Sequence, residues 1–317
     1  MPPRLTALCA TLVLAGFPAQ LLAEPFRIMD KEGFEAPMTA MTIDLPPGWT
    51  AEGRIAWAKP CSGNEMYEVI LNAVSPDGQS GLRFMPGHAI VWNEVRVAGI
   101  DPAMAQMVVA QNEAALADMR QQYQNSNCHV GKITGGSEQL IRGLILARRP
   151  AGARIDRLVP NQPVIDQYKA GIGGMVAQGM LIRYDAVVAD LSYSGPQGPM
   201  VERLWLSWYQ FADDGTPPPP GVPGFGYQST VVETVAFAYA PASRAGDLDL
   251  AAKAMAGAQA DPAWTARINE ELRKREAERQ RIRAEAEAAR QAREEADRLR
   301  AAAAGGYRLG LPLTAAP

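Results

Sequence analysis

Between residues 38 and 96, apolar and polar positions alternate in short runs separated by turn residues. Residues 38–45 read as a strand stopped by Pro46-Pro47-Gly48-Trp49, and 54–58 as a short second strand. In 66–74, Tyr67, Val69, Leu71 and Ala73 face one way while Glu68 and Asn72 face the other, which is the period of a half-buried strand. Pro76-Asp77-Gly78 is a turn, 82–85 the returning strand, and 89–92 one more short strand. Residues 24–37 read as an extended lead-in to this small antiparallel meander.

The period then lengthens. Asp101 can cap a helix whose first residue is Pro102 and which runs to about Gln122. Its inward face is expected to carry Met104, Val108, Gln111, Ala115 and Met119, or their neighbours. A strand near 129–134 follows, then a helix over 137–149 with Leu140, Ile141, Leu144 and Ile145 on one side. Residues 180–193 form the strongest strand pattern, with an apolar phase shift near 186–188 that indicates a bulge or a change of burial. The turn at 195–199 leads to a partner strand over 201–211, with Trp205 and Trp208 on opposite faces. Pro217 to Pro220, Pro223 and three glycines make 213–225 a stiff surface loop. A last strand (228–239) and a helix (247–260, capped by Asp247) close the pattern.

The order is strands, helix, strand, helix, strands, helix. It predicts an α+β domain over 24–261, with a twisted, mainly antiparallel sheet and packed helices; an α/β/α sandwich satisfies the same order. A doubly wound dinucleotide fold is disfavoured because strands and helices do not alternate.

Asp261-Pro262 opens a different kind of sequence. Residues 263–304 contain no Gly or Pro and are almost entirely Ala, Arg, Glu, Gln, Leu and Ile. They predict a long helix over 262–304, roughly 63 Å in length, ended by Gly305-Gly306 and followed by a disordered tail over 305–317. A 4-3 seam from Ile268 holds only Ile268, Leu272 and Ile282 as large apolar residues, too few for a firm coiled-coil dimer. The pairs Glu270–Lys274, Glu271–Arg275 and Glu294–Arg298 support a solvated single helix instead, with a weak oligomer seam as the second reading. On this reading, deleting 263–317 leaves the domain's melting temperature nearly unchanged.

The first 23 residues have the three-part layout of a secretory signal peptide. Arg4 leads an apolar run through Leu8, Leu12, Val13 and Leu14, and Ala19 and Ala23 offer cleavage positions. The run is shorter than the roughly 20 residues a transmembrane helix needs, and no later stretch could span a bilayer. Cleavage near Ala23 is expected, with Ala19 second. The surroundings of Cys9 are poor for lipid attachment, and the Ala- and Arg-rich composition suggests a GC-rich bacterium, so the expected compartment is the periplasm.

Cleavage would leave two cysteines, Cys61 and Cys128. An even count in an oxidising compartment argues for one disulfide closing a 67-residue loop. The rival is a metal site using Cys61, Cys128, His129 and His88, for which neither Cys-x-x-Cys nor His-x-x-x-His spacing is present.

Composition removes further options. The chain has 317 residues, is 47% hydrophobic and carries a net charge of −3, so wholesale disorder is excluded and no basic nucleic-acid footprint exists. Two histidines leave little room for a His-based site. Gly171, Gly173, Gly174 and Gly179 lack the Lys-Ser/Thr of a phosphate loop and precede their strand, so they read as a turn. The acidic pairs Asp213-Asp214 and Asp247/Asp249 sit beside a Gly-Pro loop and at a helix start, where acidic residues cap and solvate. No Gly-x-Ser-x-Gly elbow is present. No catalytic, cofactor-binding or metal-ligating residue is assigned, and no cofactor is expected.

Ile43, Pro46, Pro47, Gly48 and Trp49, followed by the Asp77-Gly78 turn, resemble exported bacterial proteins of uncharacterised function. The arrangement is also similar to the α/β/α sandwich of the Mog1/PsbP-like proteins, in which an Ile-Pro-x-Trp element ends an early strand. The similarity spans residues 38–240 in element order. The disulfide, the proline loop and the C-terminal helix depart from that pattern. Members of the family bind partner proteins, so the resemblance implies a binding module and carries no site residue over. The expectation is a periplasmic, non-enzymatic binding or scaffold protein with a helical spacer, monomeric or weakly oligomeric, holding a protein or envelope partner. The alternative is an envelope-directed hydrolase with an unrecognised site.

Overall fold

The computed structural model describes residues 25–57, 66–172, 180–196 and 198–306. The expected signal sequence and cleavage site, Cys61, most of the glycine cluster and the last eleven residues lie outside them. The lead-in folds as strand β1 (Phe26–Asp30), which pairs antiparallel with β2 (Met38–Ile43) and touches β3 (Thr50–Trp57) in parallel. β3, β4 (Tyr67–Val74) and β5 (Gly81–Met85) complete the expected meander, and β6 (His88–Arg96) follows after a two-residue break. Helix α1 (Pro102–Gln122) is capped as expected, the Asp101 carboxylate accepting from the Ala103 and Met104 amides at 3.0 and 3.2 Å. Strand β7 (Cys128–Val130) lies parallel to β6.

Helix α2 (Gly136–Leu140) loosens into a π turn (Ile141–Ile145) and tightens into a 3₁₀ turn (Leu146–Arg148). Strand β8 (Arg154–Pro160) and helix α3 (Gln162–Gly171) come next; the sequence pattern showed neither. Three long strands then carry the sheet: β9 (Met180–Gly195), β10 (Gly198–Asp213) and β11 (Gly224–Pro241). Helix α4 (Asp247–Ala256), the two-residue strand β12 (Gln259–Ala260) and helix α5 (Pro262–Gly306) end the described chain.

The fold is α+β, a mostly antiparallel twelve-stranded sheet of order β12-β2-β1-β3-β4-β5-β11-β10-β9-β8, with β6 and β7 branching from β11. The branch arises because β11 is long enough to pair with β6 through its first half and β5 through its second. Alternation along the central strands sends side chains into two cores. Trp205, Ala236, Ala238 and Leu82 meet α4 and the start of α5 on one face. Leu204, Leu206, Val235 and Trp208 meet Leu140, Ile141, Leu144 and Ile145 of the α2 segment on the other. Trp205 and Trp208 thus lie on opposite faces, as their spacing required. The phase shift near 186–188 is a change of burial: Ala186 and Val187 are both buried, while β9 pairs with β10 without a register break.

Two expectations need correction, and a third, the Cys61–Cys128 disulfide, lies outside the described residues because Cys61 is not among them. Cys128 itself is buried on β7, which pairs in parallel with β6. Helix α1 buries only Leu116; Met104 and Met107 are 51% and 54% exposed, because α1 lies along the β6–β7 edge rather than under the sheet. Asp247 does not cap α4, whose N-cap is Gly246; its carboxylate instead accepts from Ser80 Oγ and Arg244 Nη2, both at 2.6 Å.

Candidate functional site

Helix α5 is rooted in the body. β12 pairs with β2, and the Asp261 amide donates to the Ala40 carbonyl at 2.9 Å, which fixes where the helix starts. The Asp261 carboxylate accepts from the Ala263 and Trp264 amides at 2.9 and 3.0 Å, so the expected cap is present. One turn later Trp264 (3% exposed) and Ile268 (4%) enter the core that α4 also covers. The Trp264 ring packs edge-on against Tyr67, with centroids 4.7 Å apart.

A buried carboxylate ties this root to the sheet. Asp30, at the end of β1, accepts from Trp264 Nε1 at 2.9 Å, Trp57 Nε1 at 3.1 Å, and the Gly33 and Glu32 amides at 2.9 and 3.2 Å. Burial opposes its ionisation, but the N–H donors of Trp264, Trp57, Gly33 and Glu32 outweigh burial and hold the carboxyl below its ordinary value. Gly33 is required by the same packing, since a Cβ there would lie 2.0 Å from the Trp57 ring. Outside this core, Arg267 reaches Glu35 at 2.9 Å and lies over the Phe34 ring at 5.1 Å.

Beyond Glu271 no described side chain of α5 is buried. The whole helix has 45 residues and is about 68 Å long, so most of it projects as a solvated rod. Glu270–Lys274 and Glu271–Arg275 form as expected, at 2.9 and 3.5 Å. Glu294–Arg298 is not among the ion pairs of the described residues; the i,i+3 pair Asp297–Arg300 (3.1 Å) lies in that stretch, and Glu278–Arg281 (2.6 Å) and Glu287–Arg290 (2.8 Å) precede it. Leu272, Ile282 and Leu299 are exposed. At about 100° per residue they point in different directions, so they make no continuous seam.

The acidic pairs are spent on structure. Asp213 pairs with Arg96 at 2.5 Å and accepts from the Tyr227 and Gly215 amides at 2.9 and 3.0 Å, closing the mouth of the proline loop. Asp214 caps Thr216, and Asp249 meets Arg203 at 2.8 Å. Gly171 ends α3.

The structure does bring the two histidines together. His88 Nδ1 and His129 Nε2 lie 3.1 Å apart, so one ring donates and the other accepts. Burial, the His129 charge and Arg148 push His88 down to about 4; burial and Arg148 also lower His129. Neutral imidazoles are therefore the resting state. Sequence separation hid this pair, because only the β6–β7 parallel register places residues 88 and 129 side by side. Among the described residues no three His, Cys, Asp or Glu side chains converge to hold a metal ion. No described helix is long and apolar enough to cross a membrane. No protein-family model matches the chain, and neither a curated protein nor a solved structure does.

Proposed function

We propose that this chain is an exported scaffold protein of the bacterial envelope, whose body holds a straight, charged helix out to a protein partner. One observation carries the reading: α5 begins inside the core, at Trp264 and Ile268, and continues with every described side chain beyond Glu271 accessible to solvent. A helix tethered by a flexible linker would sweep a volume. A helix whose first turns are packed and hydrogen-bonded to Asp30 points one way, which is what a spacer or docking rod needs. The length of the rod has no role within the body, since no apolar stripe along it seeks burial. The signal-like N-terminus supports the compartment, and the resemblance to partner-binding Mog1/PsbP-like proteins supports the non-catalytic role.

Site-specific photo-crosslinking in the native cell tests this. A crosslinking residue at Ile282 or Leu299 should give one discrete adduct with another protein, and the same residue at Glu52 on the body should give none. A protein truncated after Glu271 should be exported and folded, with a mature chain beginning near Glu24 by mass spectrometry, yet lose the partner. Absence of rod-specific adducts, or an intact Met1 on cytoplasmic protein, would overturn the proposal.

A further inference from the structure

Four adjacent strands carry polar and aromatic side chains on one face at the end of the sheet where β9 turns into β10. The register decides which ones share a face. Tyr193 stands opposite Met200, Glu202 opposite Tyr239, Tyr239 opposite Gly81, and Phe237 opposite Arg83. Directly opposed residues lie on the same side of a sheet, so these form one floor, on the face covered by α2. The π and 3₁₀ turns that end the α2 segment bring Arg149 to the edge of this floor, and the resulting cleft has a volume of about 410 Å³, within the range of small-molecule sites.

The charges in the cleft do not cancel. Glu202 is fully buried and takes a bidentate pair from Arg149, whose Nε and Nη2 donate at 2.8 Å each. That pair is internally neutral, and the Arg149 guanidinium also lies over the Phe237 ring at 4.9 Å. Arg83 has no such partner: its Nε donates to the neutral Asn72 Oδ1 at 2.8 Å, its guanidinium lies over the Tyr239 ring at 5.4 Å, and no ion pair among the described residues includes it. One net positive charge therefore stands beside aromatic walls. The walls are also pre-set. Tyr239 lies so close to Gly81 that a Cβ there would be 2.6 Å from the ring, and burial with the Glu202 charge keeps the Tyr193 phenol protonated.

We propose that this cleft binds a small aromatic carboxylate, with the carboxylate on Arg83 and the ring against Tyr239, Phe237 and Tyr193. A guanidinium matches a carboxylate in shape and charge, and aromatic side chains favour edge or offset packing with a ligand ring. A cationic ligand would meet Arg83, and a bare inorganic anion would leave the aromatic surface unused. The proposal is independent of the role of α5.

Isothermal titration calorimetry of the full chain with 2-naphthoate, 2-naphthalenemethanol and acetate separates the two contributions. Naphthoate should bind saturably at one site, with the alcohol and acetate each weaker by about tenfold or more. Arg83→Gln should weaken naphthoate to the level of the alcohol while leaving the urea midpoint unchanged. Arg290→Gln on the rod should change nothing. Naphthoate that shows no saturable heat, binds no better than the alcohol, or binds Arg83→Gln as tightly as the parent would overturn the assignment.

Discussion

Two truncations that differ by ten residues of α5 should differ sharply in stability. Ending the chain after Glu271 keeps Trp264, Ile268 and the Asp30 hydrogen bond; ending it after Asp261 removes all three. Removing a buried Trp or Ile side chain costs about 2–5 kcal/mol each. Loss of one donor to a buried carboxylate adds roughly 1.5–3 kcal/mol. Neighbouring contributions of this kind do not add, and unfixing the helix returns some entropy. A net loss on the order of 5 kcal/mol remains, a large fraction of the roughly 5–15 kcal/mol that stabilises a domain. With urea slopes of about 1–3 kcal/mol/M, the midpoint followed by far-UV circular dichroism should fall by about 2 M for the shorter chain. The longer truncation should match the parent. Trp264→Phe provides a milder variant: it keeps a ring in the core, drops the N–H, and should cost roughly 1.5–3 kcal/mol. Equal midpoints for the two truncations would show that the root contributes nothing, and the fixed rod would fall with it.

Three other outcomes follow from the same structure. Asp30 has a lowered folded-state pKa, so the stability it contributes is present above its unfolded value of 3.8 and is lost as pH falls through the lower folded value; Asp30→Asn should be less stable than the parent at pH 7, with the gap closing in acid, and a gap independent of pH would refute this. Gly33→Ala must displace the Trp57 ring and should cost about 1–3 kcal/mol, with a red shift of tryptophan emission as the readout. His88, lowered from 6.5 to about 4, stays neutral where the unfolded chain takes up a proton, so its contribution declines as pH falls from about 6.5 toward 4, by up to about 3 kcal/mol; nuclear magnetic resonance of the two imidazoles should show one ring titrating near 4, and a midpoint near 6.5 would contradict the buried pair.

Local pattern determined much of this protein. Alternation in 66–74, the Asp-Pro starts of α1 and α5, and the opposite facing of Trp205 and Trp208 all depend on residues within a few positions of one another, so their periodicity is visible without a fold. Strand β8 and helix α3 escaped because their residues are half-exposed and carry no clear period. The composition of residues 263–304 predicted a long helix correctly but concealed its root, because two large apolar residues among charges look like a failed coiled coil until Asp30, more than 230 positions away, supplies the partner for Trp264. The histidine pair and the Arg83 cleft were invisible for the same reason. Each is assembled by strand register, β7 against β6 in one case and β5-β11-β10-β9 in the other, and register between distant segments is set by how the whole sheet buries its two faces.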